Sequence, residues 1–375
     1  MKDFADSTLF TVIHEREIET EICILKPEIS IHQGLMPGAD SFMSEDGRYL
    51  WFSAVFAPNG FLPGGRRAAA VWDRESDQLV LRRDIQPDSG FWVAPNGDAV
   101  WGTANQILRA SPQERSGVRR VFEVPASMRT FPGKAASRIS CEAGNKYCLI
   151  IDVSEADTAV VGSLETQSAC FTHWARLTGG WHSPEANPLK AGQALILRGP
   201  WHSYSNGENH PLETDADGNC MSLWVIAQGG EAKCLPTGPA PVTEARWSLD
   251  GEKIYYTCDN GVFSISTKTE QRERIDAAPA RHLSLSSDGA WMCVDHPRDE
   301  REGKAGAWSL INLNNGKRCV FPMSAADRES ASSPYETEPA PRFCLNDKYI
   351  LFNCFEGRAL TLAAIKADEI KSRIV

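Results

Sequence analysis

The sequence predicts an all-β protein: a seven-bladed β-propeller of four-stranded blades, its ring closed by an N-terminal strand, in a single domain over residues 1–375. Three observations predict it. A strand–turn–strand unit recurs seven times, the copies follow one another at propeller-blade spacing, and no sustained helical periodicity interrupts the series.

The clearest copy runs from Val242 to Ser266 and reads as a strand, a tight Asp250-Gly251 turn, a second strand, another turn and a third strand. The same grammar appears at Asp40 to Phe52, Gly90 to Trp101 and Arg281 to Val294. Weaker copies lie at Ser137 to Cys148, at Gly180 to Pro184 leading to Ala194–Leu197, and at Pro341 to Phe352. Anchored on the residue before each turn (Ser44, Ala94, Cys141, Ser183, Ser248, Ser286, Leu345), the copies are spaced by 50, 47, 42, 65, 38 and 59 residues. These values suit blades of four strands. The last copy supplies three strands and then runs out of chain, whereas the apolar run Glu21–Leu25 precedes the first copy unpaired. That run is expected to complete the seventh blade, which leaves no long open edge. Only the tail, Lys366 to Ser372, reads as a short helix.

Composition narrows the function. A formal charge of −10 argues against nucleic acid and anionic membranes as partners, since most of the surface would repel them. There is no basic leader before an apolar run and no stretch of about 18 apolar residues, so a soluble cytoplasmic protein is expected. Eleven cysteines without a CxxC pair, many in apolar runs, read as small reduced core residues and not as a disulfide framework or zinc site. Serine-hydrolase, nucleotide-loop and zinc-protease motifs are absent.

In a propeller the innermost strands line an axial channel, and ligands bind at its mouth. Positions four before each anchor should fall there: Asp40, Gly90, Ser137, Gly179, Glu244, His282 and Pro341. Neighbouring Arg138, Arg246, Arg281 and Arg342 add cations, which suits a small anionic ligand. The bland alternative is that polar residues there merely solvate a wet hole. The long fourth spacing comes from an insertion over residues 198–218 that gathers Trp201, His202, Tyr204, Glu208, His210 and Glu213. An aromatic face beside imidazole and phenol groups suits a sugar, and it equally suits a rigid loop pinned by a stacked tryptophan.

Gly199-Pro200-Trp201-His202, followed by Met221 to Ile226 and by Val242 to Gly251, resembles the cytoplasmic oligogalacturonate lyases; the ulvan-type propeller lyases share the same blade grammar. Glu338 to Phe343 carries a further local likeness. The resemblance implies a seven-bladed propeller that cleaves uronate-containing oligosaccharides by β-elimination, with a divalent metal, manganese or calcium, held by His and Gln residues at the channel mouth. Against that pattern Glu244 replaces a fifth-blade His, Pro341 and Phe343 replace paired seventh-blade His residues, Glu338 replaces a Gln, and Ser222 stands where an Arg is expected. His282 remains a histidine. Either Glu244, Glu338 and His282 hold the metal, or the site works without one.

Removing the C5 proton of a uronate puts further negative charge on a carboxylate, so a cation must face it, and a base and an acid must move protons. His202, Tyr204, His282 and Arg281 are the catalytic candidates. Trp201, Arg246, Arg342, His210 and His182 are the candidates for binding substrate. His173, on an expected outer strand, reads as packing, His296 as a turn cap, and His14 and His32 as parts of the closing segment; Gly64 to Arg67 reads as a solvated basic loop. Two other readings stay open: a glycoside hydrolase using carboxylates such as Glu244, Glu338 and Asp40, and a non-catalytic interaction propeller.

Overall fold

A computed structural model describes residues 1–15, 19–26, 32–35, 41–55, 68–85, 89–103, 106–125, 139–142, 146–153, 158–165, 168–178, 181–199, 221–296, 307–322, 339–356 and 359–374. They form an all-β propeller. Six sheets are four-stranded, and the seventh, closing sheet has five strands, so the expectation of uniformly four-stranded blades is corrected.

Each four-stranded sheet is a plain antiparallel meander. The fifth, for example, runs Val242–Trp247, Lys253–Cys258, Gly261–Ser266, Arg272–Asp276. Its opening turn shows why the sequence folds so. Ser248 Oγ donates to Asp250 Oδ1 at 2.6 Å and accepts from the Lys253 N–H at 2.9 Å, while Asp250 Oδ1 accepts from the Glu252 N–H. Gly251 takes a φ of +64°, where a Cβ would also meet Asn187. The same Ser-x-Asp-Gly device closes the turns at Ser44–Gly47 and Ser286–Gly289.

Seven apolar clusters stand between neighbouring sheets and close the ring. Trp51 and Trp101 lie in the cluster between the first two sheets, Leu195 and Trp247 between the fourth and fifth, and Trp308 and Phe352 between the sixth and the closing sheet. Because second strands have a neighbour on both faces, they are mostly apolar; Tyr49–Val55 is buried at every position. Fourth strands such as Arg272–Asp276 are largely exposed.

The closing sheet joins both ends of the described chain. Thr20–Leu25 pairs with Ala359–Lys366, as the apolar run Glu21–Leu25 predicts. Phe10–Glu15 then adds an outermost fifth strand that the sequence did not announce, because its side chains are exposed from Thr11 to His14 and show no alternation. His14 belongs to this sheet, but His32 does not: it opens His32–Gly34, the first strand of the first sheet. Of the expected first-sheet segment from Asp40, Met43 contributes only an isolated bridge to Leu50. The tail forms the expected helix at Ala367–Lys371, with Ile370 packed in the adjoining cluster.

Candidate functional site

From the second sheet to the closing one, first strands of successive sheets contact one another, which places them around the axis. An even number of antiparallel strands returns the chain to its starting end, so first strands run in the same sense. Trp181–Ala186, Val242–Trp247, Leu283–Leu285 and Arg342–Cys344 therefore start at a common mouth.

Three candidates meet there. Glu244, 4 % exposed, accepts from Arg246 Nη2 and, at 3.1 Å, from Arg342 Nη2 with Oε1. Its Oε2 accepts the Leu283 N–H at 2.9 Å, and Arg342 Nη1 returns a bond to the Leu283 carbonyl at 2.6 Å. Arg246 Nη1 reaches Glu185 Oε2 at 3.0 Å. The alternating chain Glu185–Arg246–Glu244–Arg342 thereby ties three first strands, and the backbone of Leu283 joins the fourth to it. Glu185 reaches it through a bulge: Ser183 and Pro184 together oppose one residue, Ser183 adopts a φ of +53°, and the strand re-aims.

The second unit is a dyad. His282 Nδ1 lies 2.7 Å from Oδ2 of Asp295, its cross-strand neighbour, which is fully buried. Asp295 Oδ1 accepts the backbone N–H of His282 at 2.7 Å and of Arg281 at 3.2 Å, and Oδ2 accepts that of Ala340 at 3.3 Å. Burial pushes the Asp295 carboxyl up, but the charge and hydrogen bonds of His282 outweigh it, and the net shift is downward. An ionised Asp295 keeps the proton on Nδ1 and leaves the lone pair of the neutral ring on Nε2. The His282 side chain is 20 % exposed. This is a histidine oriented to exchange protons.

The geometry corrects two expectations. Glu244 is unsuited to a metal: its oxygens are taken by two guanidiniums and an amide, and a divalent cation there would face both positive charges. Among the described residues no group of three His, Cys, Asp or Glu side chains could hold a metal ion. Arg246 and Arg342 are not uncommitted cations either, since each is already paired with an acid.

His202, Tyr204, Trp201, His210, Glu338 and Asp40 lie outside the described residues, as do Ser137, Gly179 and Gly64 to Arg67. His182 is in the first strand of the fourth sheet, opposite Leu197. His173 lies on the outermost strand of the third sheet as expected but is exposed there and not packed, whereas His296 spans the Pro279 carbonyl and Ser309 Oγ, a structural placement. Ser222 faces Arg198 across the ladder. Cys23, Cys258, Cys293 and Cys344 are buried as expected, whereas Cys170 and Cys234 are exposed on outer strands; all eight described cysteines are free. Asp295 and Glu185 were missed. Their signal was an acid inside a strand otherwise apolar, Met292-Cys-Val-Asp-His296, and an acid directly after a strand proline.

The fold and the site together define a β-propeller carrying a histidine–aspartate dyad beside an arginine–carboxylate chain at its mouth. Among solved structures, an oligogalacturonate lyase in complex with manganese superposes with a TM-score of 0.72 at 14% identity, covering 96% of each chain. The oligogalacturonate lyase of Vibrio parahaemolyticus gives 0.71 at 13%, covering 95% of this chain and 96% of that one. A puromycin-hydrolyzing peptidase of Mycobacterium tuberculosis gives 0.54 at 11%, covering 84% of this chain and 49% of that one. No family model and no curated protein matches the sequence. At these identities the likeness establishes the propeller fold. No helix among the described residues is long and apolar enough to cross a membrane.

Proposed function

We propose that the protein is an oligosaccharide lyase that cleaves short uronate-containing chains by β-elimination. The observation that carries this reading is the His282–Asp295 dyad at the mouth. The likeness to two oligogalacturonate lyases over nearly the whole chain supports the substrate class. His282 Nε2 takes the C5 proton; the C5–H electrons form the C4=C5 double bond; the C4–O bond breaks and its oxygen leaves with a proton from an acid. Arg281, next to the dyad, and His202 and Tyr204 in the fourth-sheet insertion are the proposed partners in that step. With Glu244 committed to two guanidiniums, no step is routed through a metal.

The test is incubation with short oligogalacturonates, following the ultraviolet absorbance of a double bond conjugated to the carboxylate, with and without chelator. Absorbance should rise in both, and His282→Ala should lower the rate on the order of 10²- to 10⁴-fold while circular dichroism stays unchanged. New reducing ends without absorbance would refute elimination. One observation favours a second reading, a non-catalytic propeller: Arg246 and Arg342 are both neutralised by acids. In that case His282→Ala changes nothing.

A further inference from the structure

Arg198 closes the second strand of the fourth sheet, Gln193–Arg198, opposite Trp181 and Ser222. Its guanidinium carbon lies 5.6 Å from the ring centroid of Trp181 and 5.9 Å from that of Trp224. The two indoles meet edge to face at 5.3 Å, and Trp224 Nε1 donates to Ser222 Oγ at 2.9 Å, which holds that ring in place. The Arg198 side chain has no ion pair or hydrogen bond among the described residues, and its Nε is buried without a partner. That isolation is costly. A buried N–H left unmade forfeits its desolvation energy, and this chain has acids in excess with which to satisfy it. The guanidiniums of Arg82, Arg246 and Arg342 have carboxylate partners; buried Arg74 shares the unpartnered Nε but gives Nη1 to the Gly47 carbonyl.

We propose that Arg198, on the floor made by Trp181 and Trp224, binds the carboxylate of a sugar acid, as a subsite apart from the His282–Asp295 dyad. A planar guanidinium offers its two Nη groups as a fork matched to the two oxygens of a carboxylate, and the neighbouring indoles hold that fork in place. The exposed part of Trp224 gives an apolar surface beside the charge, the combination a sugar ring with one carboxylate requires. The location fits an oligomeric ligand. Trp181 opens a first strand at the mouth, and Glu185, four residues on and roughly 13 Å along the strand, reaches the arginine–carboxylate chain. A short acidic oligosaccharide can span both.

The proposal takes its probe from the reading above and otherwise stands apart from catalysis. Isothermal titration of the full chain with digalacturonate and with its dimethyl ester tests it. The wild type should bind the acid and lose roughly 10- to 100-fold on esterification, the range for a charge-assisted bond. Arg198→Met should lose as much for the acid and little for the ester, whereas the surface control Arg119→Met should bind like wild type. Arg198→Lys keeps the charge without the fork and should recover part of the loss. Binding by a folded Arg198→Met within twofold of wild type would overturn the proposal, as would equal wild-type affinity for acid and ester, or no wild-type binding at all. If binding depends on Arg198 but no unsaturated product forms, the subsite stands and the lyase reading fails.

Discussion

Replacing Asp295 by Asn keeps the shape of the dyad and inverts its chemistry. Two backbone N–H groups, from Arg281 and His282, converge on Oδ1, so an amide nitrogen placed there would face two donors. The new NH₂ must therefore take the Oδ2 side, where it meets Ala340 N–H at the long distance of 3.3 Å and the His282 ring. It then donates to Nδ1, and the ring proton moves to Nε2. Two charge-assisted hydrogen bonds from His282 become neutral, which costs about 1 kcal/mol each, hence about 2 kcal/mol of stability. The folded carboxyl of Asp295 is held below its ordinary value, so it contributes stability above pH ~4 that is lost as pH falls below that; Asp295→Asn should abolish that part of the acid dependence. The assay is nitrogen-15 NMR of the imidazole, with urea unfolding alongside. A His282 ring still protonated on Nδ1 in the variant would refute the reasoning, and so would an unchanged unfolding midpoint.

Glu244→Gln removes the only described carboxylate of Arg342 and one of the two of Arg246, and should cost about 3–5 kcal/mol in chemical denaturation. Glu252→Gln, which breaks an exposed pair with Lys190, should stay within about 0.5 kcal/mol. Ser248→Ala should cost about 1 kcal/mol; because Ser248 is the first cause that holds the Asp250 carboxyl low, acid unfolding should also begin at higher pH. Phe4, fully buried against Phe10, Trp72 and Tyr349, should lose about 3–5 kcal/mol on truncation to Ala, read from thermal or urea unfolding.

The propeller was legible because its turns carry their own chemistry: wherever Ser-x-Asp-Gly occurs, a meander follows, and the spacing between turns is set by four strands. The outermost strand Phe10–Glu15 was not legible, because an exposed edge strand has no buried face to impose a pattern. At the mouth, the four-before-the-turn rule placed Glu244 and His282 together, since equivalent positions on adjacent first strands must be neighbours. It could not say what they bond to. Asp295 lies on a second strand, and its link to His282 depends on cross-strand register; Glu185 comes into reach through a bulge that adds one residue to its strand. Arg246 and Arg342 read in the sequence as cations for binding substrate, and only the three-dimensional pairing shows Arg246 bonded to Glu185 and Glu244 and Arg342 to Glu244.

Because Thr20–Leu25 finds its partner at Ala359–Lys366, that strand and the Phe10–Glu15 strand paired with it are synthesised long before the segment that covers them. Until then Phe10, Cys23 and Leu25, all buried in the finished ring, lack the closing strand that helps to cover them. Translation pauses upstream of residue 359 would prolong that exposure, whereas those beyond residue 366 would fall after the closing strand has been made.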